Sequence, residues 1–392
     1  MRKMAREFAV SIYLLVFACL FSLFKVYPQK KKSTFVASFG DNILFVAKEL
    51  EKRTDEQIVI LKTSQCRVDF KKHVSRPVLL FELRHPLQWV LSIYHLATSK
   101  TVIVDNYFGF LAASRFKSNV RCIQLWHAVG ALKQFGLKDR SINVRSPRAL
   151  KRFQKVYSRF HYVVVGSEKM AQIFQESFGL PGERMIRSGI PRTDFFFNRS
   201  EMQRVKRDLQ NRYPIVKEKK VILYAPTYRD DELQVSALAL NVRQLYEAFH
   251  DEYVLFLRLH PAVQKNVMNE YPDFVYDVSN EIDSNHLFVI TDVLVTDYSS
   301  IPFEFALLQK PMVFFAYDLD EYREKRGLLE HYEKIVPGPV VKQTDELIQA
   351  IREKRFNFEK IAEFAREWNQ FSTGNSSRQF VETFYHSSKT RR

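Results

Sequence analysis

Cysteine is scarce in this 392-residue chain: Cys19, Cys66 and Cys122 are odd in number and widely spaced. With no CxxC pair and no His/Cys cluster at metal-ligand spacing, neither a disulfide framework nor a zinc site is indicated, and a reducing, cytoplasmic setting fits. GxxxxGK[ST], a GxGxxG behind a strand and GxSxG are all missing. Their absence leaves a P-loop nucleotidase, a dinucleotide oxidoreductase and a nucleophile-elbow hydrolase without support. No helix-turn-helix, zinc-finger, RNP or KH signature is present, so nucleic acid is not an expected partner. No carboxylate pair or DxD-type site stands in a convincing place, so the expectation is chemistry without metal or cofactor.

Apolar residues are plentiful. A hydrophobic share of 46% with 14% aromatics, and no repeat or low-complexity tract, supports a globular core. The length favours two domains of about 150 to 200 residues. Lysine and arginine outnumber aspartate and glutamate by 60 to 44, a net charge of +16 that favours anionic partners.

The N-terminus carries an uncharged run, Phe8 to Phe24, between Arg2, Lys3 and Arg6 on one side and Lys25, Lys30, Lys31 and Lys32 on the other. Bulky residues after the run argue against a cleaved signal peptide. A helix over the run would rise only ~25 Å, short of a ~30 Å hydrocarbon core, which favours an embedded or in-plane anchor over a clean span. A buried core helix is the alternative. A second basic segment, 138–160, is expected to be helical after Pro147, with Arg148, Arg152, Lys155 and Arg159 on one face and Phe153, Tyr157 and Phe160 beside it. It reads either as a solvated face over a core stripe or as a contact for anionic headgroups or a lipid-linked pyrophosphate.

Beyond the anchor, short β-branched runs alternate with helical patterns, the signature of βαβ units. Strands are expected at STFVASFG, QIVILKT, KTVIVDNY, RCIQLWH and YVVVGS, then at KVILYAPTYRD, YVLFLRLHP, FVYDVS, DVLVTDYSS and PMVFFAYDLD, with Arg199 to Lys220 as the region linking two halves. Parallel sheets present ligands at their carboxyl ends, and the conspicuous polar residues fall there. Thr227 and Arg229 lie in YAPTYRD, Arg258 and His260 in RLHP, Ser299 and Ser300 in TDYSS, and Arg192 on the turn SGIPRTD. Together they form a set suited to a phosphate-bearing ligand.

WHAVGALKQFG, GIPRTDFFF, YAPTYRDD, RLHP and the long block from Val295 to Gly327 resemble the CDP-glycerol glycerophosphotransferases that build wall teichoic acid in Gram-positive bacteria, in the family's order over residues 33–351. The resemblance implies a GT-B fold, α/β, with two Rossmann-like domains whose parallel sheets face a cleft. The expected division is a membrane-associating segment (1–32), an acceptor domain (33–200), a CDP-glycerol-binding domain (201–387) and a basic tail (388–392). It implies a peripheral or monotopic protein on the cytoplasmic membrane face that moves glycerol phosphate from CDP-glycerol and releases CMP. Compactness resembles the members that prime the polymer on an undecaprenyl-diphosphate-linked disaccharide, with other teichoic acid enzymes as potential partners; a chain-extending transferase and a GT-B sugar transferase are the alternatives.

The same resemblance implies His127 as general base, with Trp126 beside it in contact with substrate and His260 stabilising the transferring phosphate or protonating CMP. Gly130 would allow close backbone approach to ligand and Lys133 would neutralise phosphate. Arg192, Arg229 and Arg258 would clamp the diphosphate, helped by Thr227, Ser299 and Ser300. Glu304, where relatives commonly have aspartate, would bind the ribose. Asp297 is expected to shape its turn.

Overall fold

A computed structural model describes residues 2–227, 229, 238–259, 270–281, 283–329 and 331–385; His260 and the basic tail at 388–392 lie outside them. The chain divides into two compact units.

The first unit comprises Met1–Ala128, Phe135–Asp194 and Phe371–Arg392. In chain order it begins with α1 (Arg2–Phe24), β1 (Lys30–Ala37), α2 (Asp41–Arg53), β2 (Gln57–Lys62), β3 (Val78–Leu80), α3 (Pro86–Thr98), β4 (Ser99–Val104) and β5 (Arg121–Gln124). It continues through α4 (Pro147–Ser158), β6 (Tyr162–Val164), α5 (Glu168–Phe178) and β7 (Met185–Ile186). The strands form one sheet in the order β3-β2-β1-β4-β5-β6-β7, with every pairing parallel. Its central strands are buried almost end to end, as both-faced parallel strands must be. Gly40, at φ 99°, turns the chain from β1 into α2, and a Cβ there would stand 2.7 Å from Cys66 Sγ; no other residue suits that turn.

The second unit comprises Val129–Gln134 and Phe195–Gln370. Its elements are α6 (Arg199–Arg212), β8 (Lys220–Tyr224), α7 (Val242–Phe249), β9 (Tyr253–Leu257), β10 (Val275–Asp277), α8 (Ser284–Ile290), β11 (Val293–Thr296), α9 (Ile301–Phe305) and β12 (Met312–Phe315). Then come α10 (Leu319–Arg326), α11 (Tyr332–Ile335), β13 (Val340–Val341), α12 (Thr344–Arg352) and α13 (Phe358–Trp368). This sheet is also parallel, in the order β10-β9-β8-β11-β12-β13. From Phe371 the chain is back in the first unit, where α14 (Ser376–Tyr385) packs against α2.

Both sheets reverse their strand order once, between β1 and β4 in the first and between β8 and β11 in the second. Outside the carboxyl ends of such adjoining strands a crevice opens between diverging connections, and ligands of doubly wound sheets bind there.

Three sequence expectations are corrected. The region 199–220 is no linker: α6 buries Val205 and Leu209 within the second unit. The C-terminal domain does not run to 387, because the chain from Phe371 belongs to the first unit. Lys32 is not part of a lipid-facing basic flank. It lies in β1, fully buried, with Nζ donating to Thr98 Oγ1 at 2.7 Å, and burial pushes its pKa down to about 8. Helix α1 sets Phe17 and Phe21 against the first unit, packed on Trp89, Phe110 and Phe116, while Phe8, Ile12, Leu15 and Leu23 stay exposed.

Candidate active site

In the first unit, the switch point gathers the turn after β1, Ser38 to Gly40, and Asp105 directly after β4. Their register is set by the parallel pairing that puts Val36 level with Val104. Asp105, 1% exposed, accepts the N–H groups of Ser38 at 2.9 Å on Oδ1 and of Phe39 and Gly40 at 3.0 and 2.7 Å on Oδ2. Three consecutive N–H groups make an anion-binding nest, filled here by the protein's own carboxylate.

His127 follows β5, as the sequence indicated. Its Nδ1 lies 3.2 Å from the Asp105 carbonyl oxygen, and its ring stacks on Phe39 at 4.1 Å and on Trp126 at 4.4 Å. Burial pushes the imidazole down to about 4, and the Arg192 charge adds to that depression. At neutral pH the ring is therefore uncharged and able to accept a proton.

Trp126 holds φ at +57°, a left-handed conformation that costs a bulky residue about 1–3 kcal/mol and clusters at functional sites. The surroundings enforce it. Its N–H donates to Gln124 Oε1 at 2.8 Å and its carbonyl accepts Asn42 Nδ2 at 2.9 Å. Its indole packs among Phe135, Phe174 and Phe178. Trp126 thus anchors the histidine loop in an apolar cluster, a holding role where the sequence reading had substrate contact. Arg192, on the turn closed by Gly189, donates from one guanidinium nitrogen to the His127 carbonyl at 2.8 Å and from its backbone N–H to Asn42 Oδ1 at 3.1 Å. Asp105, Asn42, Gln124 and Phe39 escaped the sequence reading; the signal available was an acidic residue closing the apolar run TVIVD at a strand end.

In the second unit, Thr227 and Arg229 follow β8, and Asp297 to Ser300 follow β11. Asp297 Oδ1 accepts the N–H groups of Thr227 and Tyr298 at 2.8 and 2.6 Å, so it shapes the turn as expected. Arg229 corrects the sequence reading. It forks onto Asp318 at 2.6 and 2.9 Å, pairs with Asp297 at 2.9 Å and donates to the Thr227 carbonyl at 2.6 Å. Tyr298, Tyr317 and Tyr322 surround the guanidinium with ring centroids 5.5, 4.7 and 5.6 Å away. Burial opposes its charge, yet the two carboxylates hold its pKa above the ordinary value. Its fork is committed to protein carboxylates, so it is a core cation and no diphosphate clamp.

Ser299 Oγ caps the Ile301 N–H at 3.3 Å, and both Ser299 and Ser300 remain half-buried at the start of α9. That helix is five residues long, continued by a 3-10 turn over Ala306–Leu308. Glu304 lies on its buried side, 3% exposed. Arg258 donates to the Glu281 carbonyl at 2.7 Å.

Gly130 is also corrected. Its segment, Val129–Gln134, bridges antiparallel to Leu328 through Lys133, and the Lys133 ammonium sits 5.8 Å from the Tyr322 centroid. A Cβ on Gly130 would fall 2.5 Å from the Phe303 ring, so the close approach it permits is to Phe303. Gly130→Ala is expected to cost about 1–3 kcal/mol through overpacking, read as a fall in the thermal unfolding midpoint.

Two parallel doubly wound sheets of this topology make a GT-B-like fold, and the solved structures agree. The wall teichoic acid polymerase TagF superimposes with a TM-score of 0.79 at 25% identity, covering 97% of this chain and 96% of that one. The family model for CDP-glycerol:poly(glycerophosphate) glycerophosphotransferases matches residues 30–386, and the chain belongs to that family. The teichoic acid glycerol-phosphate primase of Bacillus subtilis is 36% identical over 96% of this chain and 97% of its own length. The teichoic acid poly(ribitol-phosphate) polymerase of Bacillus spizizenii is 35% identical over 97% of this chain and 60% of its own.

Proposed function

We propose that this glycerophosphotransferase is a primase. It moves sn-glycerol 3-phosphate from CDP-glycerol to the N-acetylmannosamine of an undecaprenyl-diphosphate-linked disaccharide and releases CMP. The match to the Bacillus subtilis primase along nearly the whole of both chains carries this reading.

The acceptor hydroxyl attacks the phosphorus bearing glycerol. Its proton passes to His127, the new O–P bond forms, and the bridging P–O bond breaks with its electron pair leaving on CMP. A neutral imidazole is suited to this role, typically worth about 10²- to 10⁴-fold. Lys133, Arg258, Thr227, Ser299 and Ser300 are assigned to the phosphates, Glu304 to the ribose and His260 to the transferring phosphate. The test combines CDP-glycerol with a synthetic lipid-linked disaccharide and sizes the product by mass spectrometry. One added glycerol phosphate supports a primase, a ladder makes it a polymerase, and absence of CMP overturns the transferase assignment. We also propose that turnover needs no divalent metal, so EDTA is expected to leave the rate unchanged; abolition by EDTA with rescue by Mg²⁺ overturns this.

The protein is proposed to sit on the cytoplasmic membrane face through α1. The helix is apolar and long enough to cross a bilayer over Ala5–Phe24, but one stripe is committed to the first unit and the rest is exposed, with α1 packed on α3, which carries the exposed Leu87 and Leu91. A helix so placed lies in the interface plane. Sedimentation with anionic phospholipid vesicles checks it. Replacing Leu15 and Leu87 by aspartate is expected to lower the bound fraction at least about tenfold, since burying each leucine contributes ~1.5–3 kcal/mol.

A further inference from the structure

We propose that Asp105 is a positioning residue for the transfer reaction, holding His127 as the Nδ1–H tautomer so that Nε2 is the atom that takes the acceptor's proton. This rests on His127 being the base and concerns how that base is held.

The tautomer follows from the partner. A main-chain carbonyl has no hydrogen to give, so the ring nitrogen facing the Asp105 oxygen at 3.2 Å must carry the proton. The remaining lone pair is on Nε2. What keeps the carbonyl in place is the same residue's side chain, whose two oxygens take the N–H groups of Ser38, Phe39 and Gly40. That turn presents Phe39, 43% exposed, whose ring lies parallel to the imidazole within 8°. Asp105 thus fixes the edge of the imidazole through its main chain and one face through the turn it grips. Arg192, donating to the His127 carbonyl, fixes the backbone behind the ring.

Only an acceptor-only side chain satisfies this turn. An asparagine would bring an NH2 group to a turn offering N–H donors, and the turn and the Asp105 carbonyl would separate. Nothing else is asked of Asp105, because the proton travels from the acceptor hydroxyl to Nε2 and the carboxylate, pushed up to about 6 by burial, keeps its charge at neutral pH.

The experiment uses full-length protein carrying 15N-histidine, with His127 assigned by the signal lost in His127→Gln. Long-range 1H–15N spectra at neutral pH are expected to show the Nδ1–H form; an Nε2–H form in the wild type overturns the proposal without recourse to any variant at Asp105. In Asp105→Asn, with native circular dichroism, the Nε2–H form is expected to appear. There kcat should fall on the order of 10²-fold, as for an ångström-scale misplacement, with the KM for CDP-glycerol unchanged. A folded Asp105→Asn that keeps both the wild-type tautomer and kcat overturns the positioning role. If His127→Gln still releases CMP at the wild-type rate, the base assignment falls and the catalytic consequence with it, while the tautomer stands.

Discussion

Replacing His127 by glutamine is expected to lower CMP release by about 10²- to 10⁴-fold, the contribution of a lost general base. Donor binding should be kept, because the residues proposed to hold the phosphates are untouched; equilibrium binding of CDP-glycerol beside single-turnover kinetics separates the two. The pH profile adds a signed test. Burial holds the imidazole near 4, so the basic form persists well below the ordinary histidine range. The His127 ring, followed by its 15N shifts, should stay neutral as pH falls through 6.5 and protonate only on approach to the depressed value, whereas the rate should fall first near 6, where Asp105, its carboxyl pushed up to about 6 by burial, takes a proton and loses its grip on the turn. A ring titration centred on an ordinary histidine pKa would place His127 in a wetter setting than the structure shows.

Arg229→Met is expected to cripple stability instead of substrate affinity. It would leave Asp297, 1% exposed, and Asp318, 14% exposed, without their cation. Removing one partner of a buried ion pair costs about 3–5 kcal/mol. For a unit of this size that corresponds to a fall in unfolding midpoint on the order of 10 °C, read by differential scanning calorimetry. A variant with an unchanged midpoint and a weakened KM for CDP-glycerol would restore the diphosphate-clamp reading.

Arg229 also shows where reading a sequence stops. Its position at a strand end was legible, since the run KVILY and the turn behind it mark β8 clearly. Its partner was not: Asp318 is 89 residues away and meets it only because β12 lies one strand beyond β11 in the sheet. The same holds for Asp105 and the turn at Ser38 to Gly40, brought level by β1 pairing with β4. Local patterns place a residue on an element, whereas strand order decides what it meets. The long central strands announced themselves through unbroken β-branched runs. The edge strands β3, β7 and β13, two or three residues each, are too short to carry a period. Gly130 reads in the sequence as a site where backbone approaches ligand, and only the assembled fold puts the Phe303 ring there instead.

The chain passes between its two units four times, after Ala128, Gln134, Asp194 and Phe371's predecessor Gln370. No single cut therefore yields either half as one uninterrupted fragment. A truncated gene ending before Phe371 would lack α14, whose Phe380 and Val381 are fully buried, and one starting at Phe195 would lack the strip that bridges to Leu328. Shuffling donor specificity among family members by joining one protein's front half to another's back half calls for grafting at all four junctions.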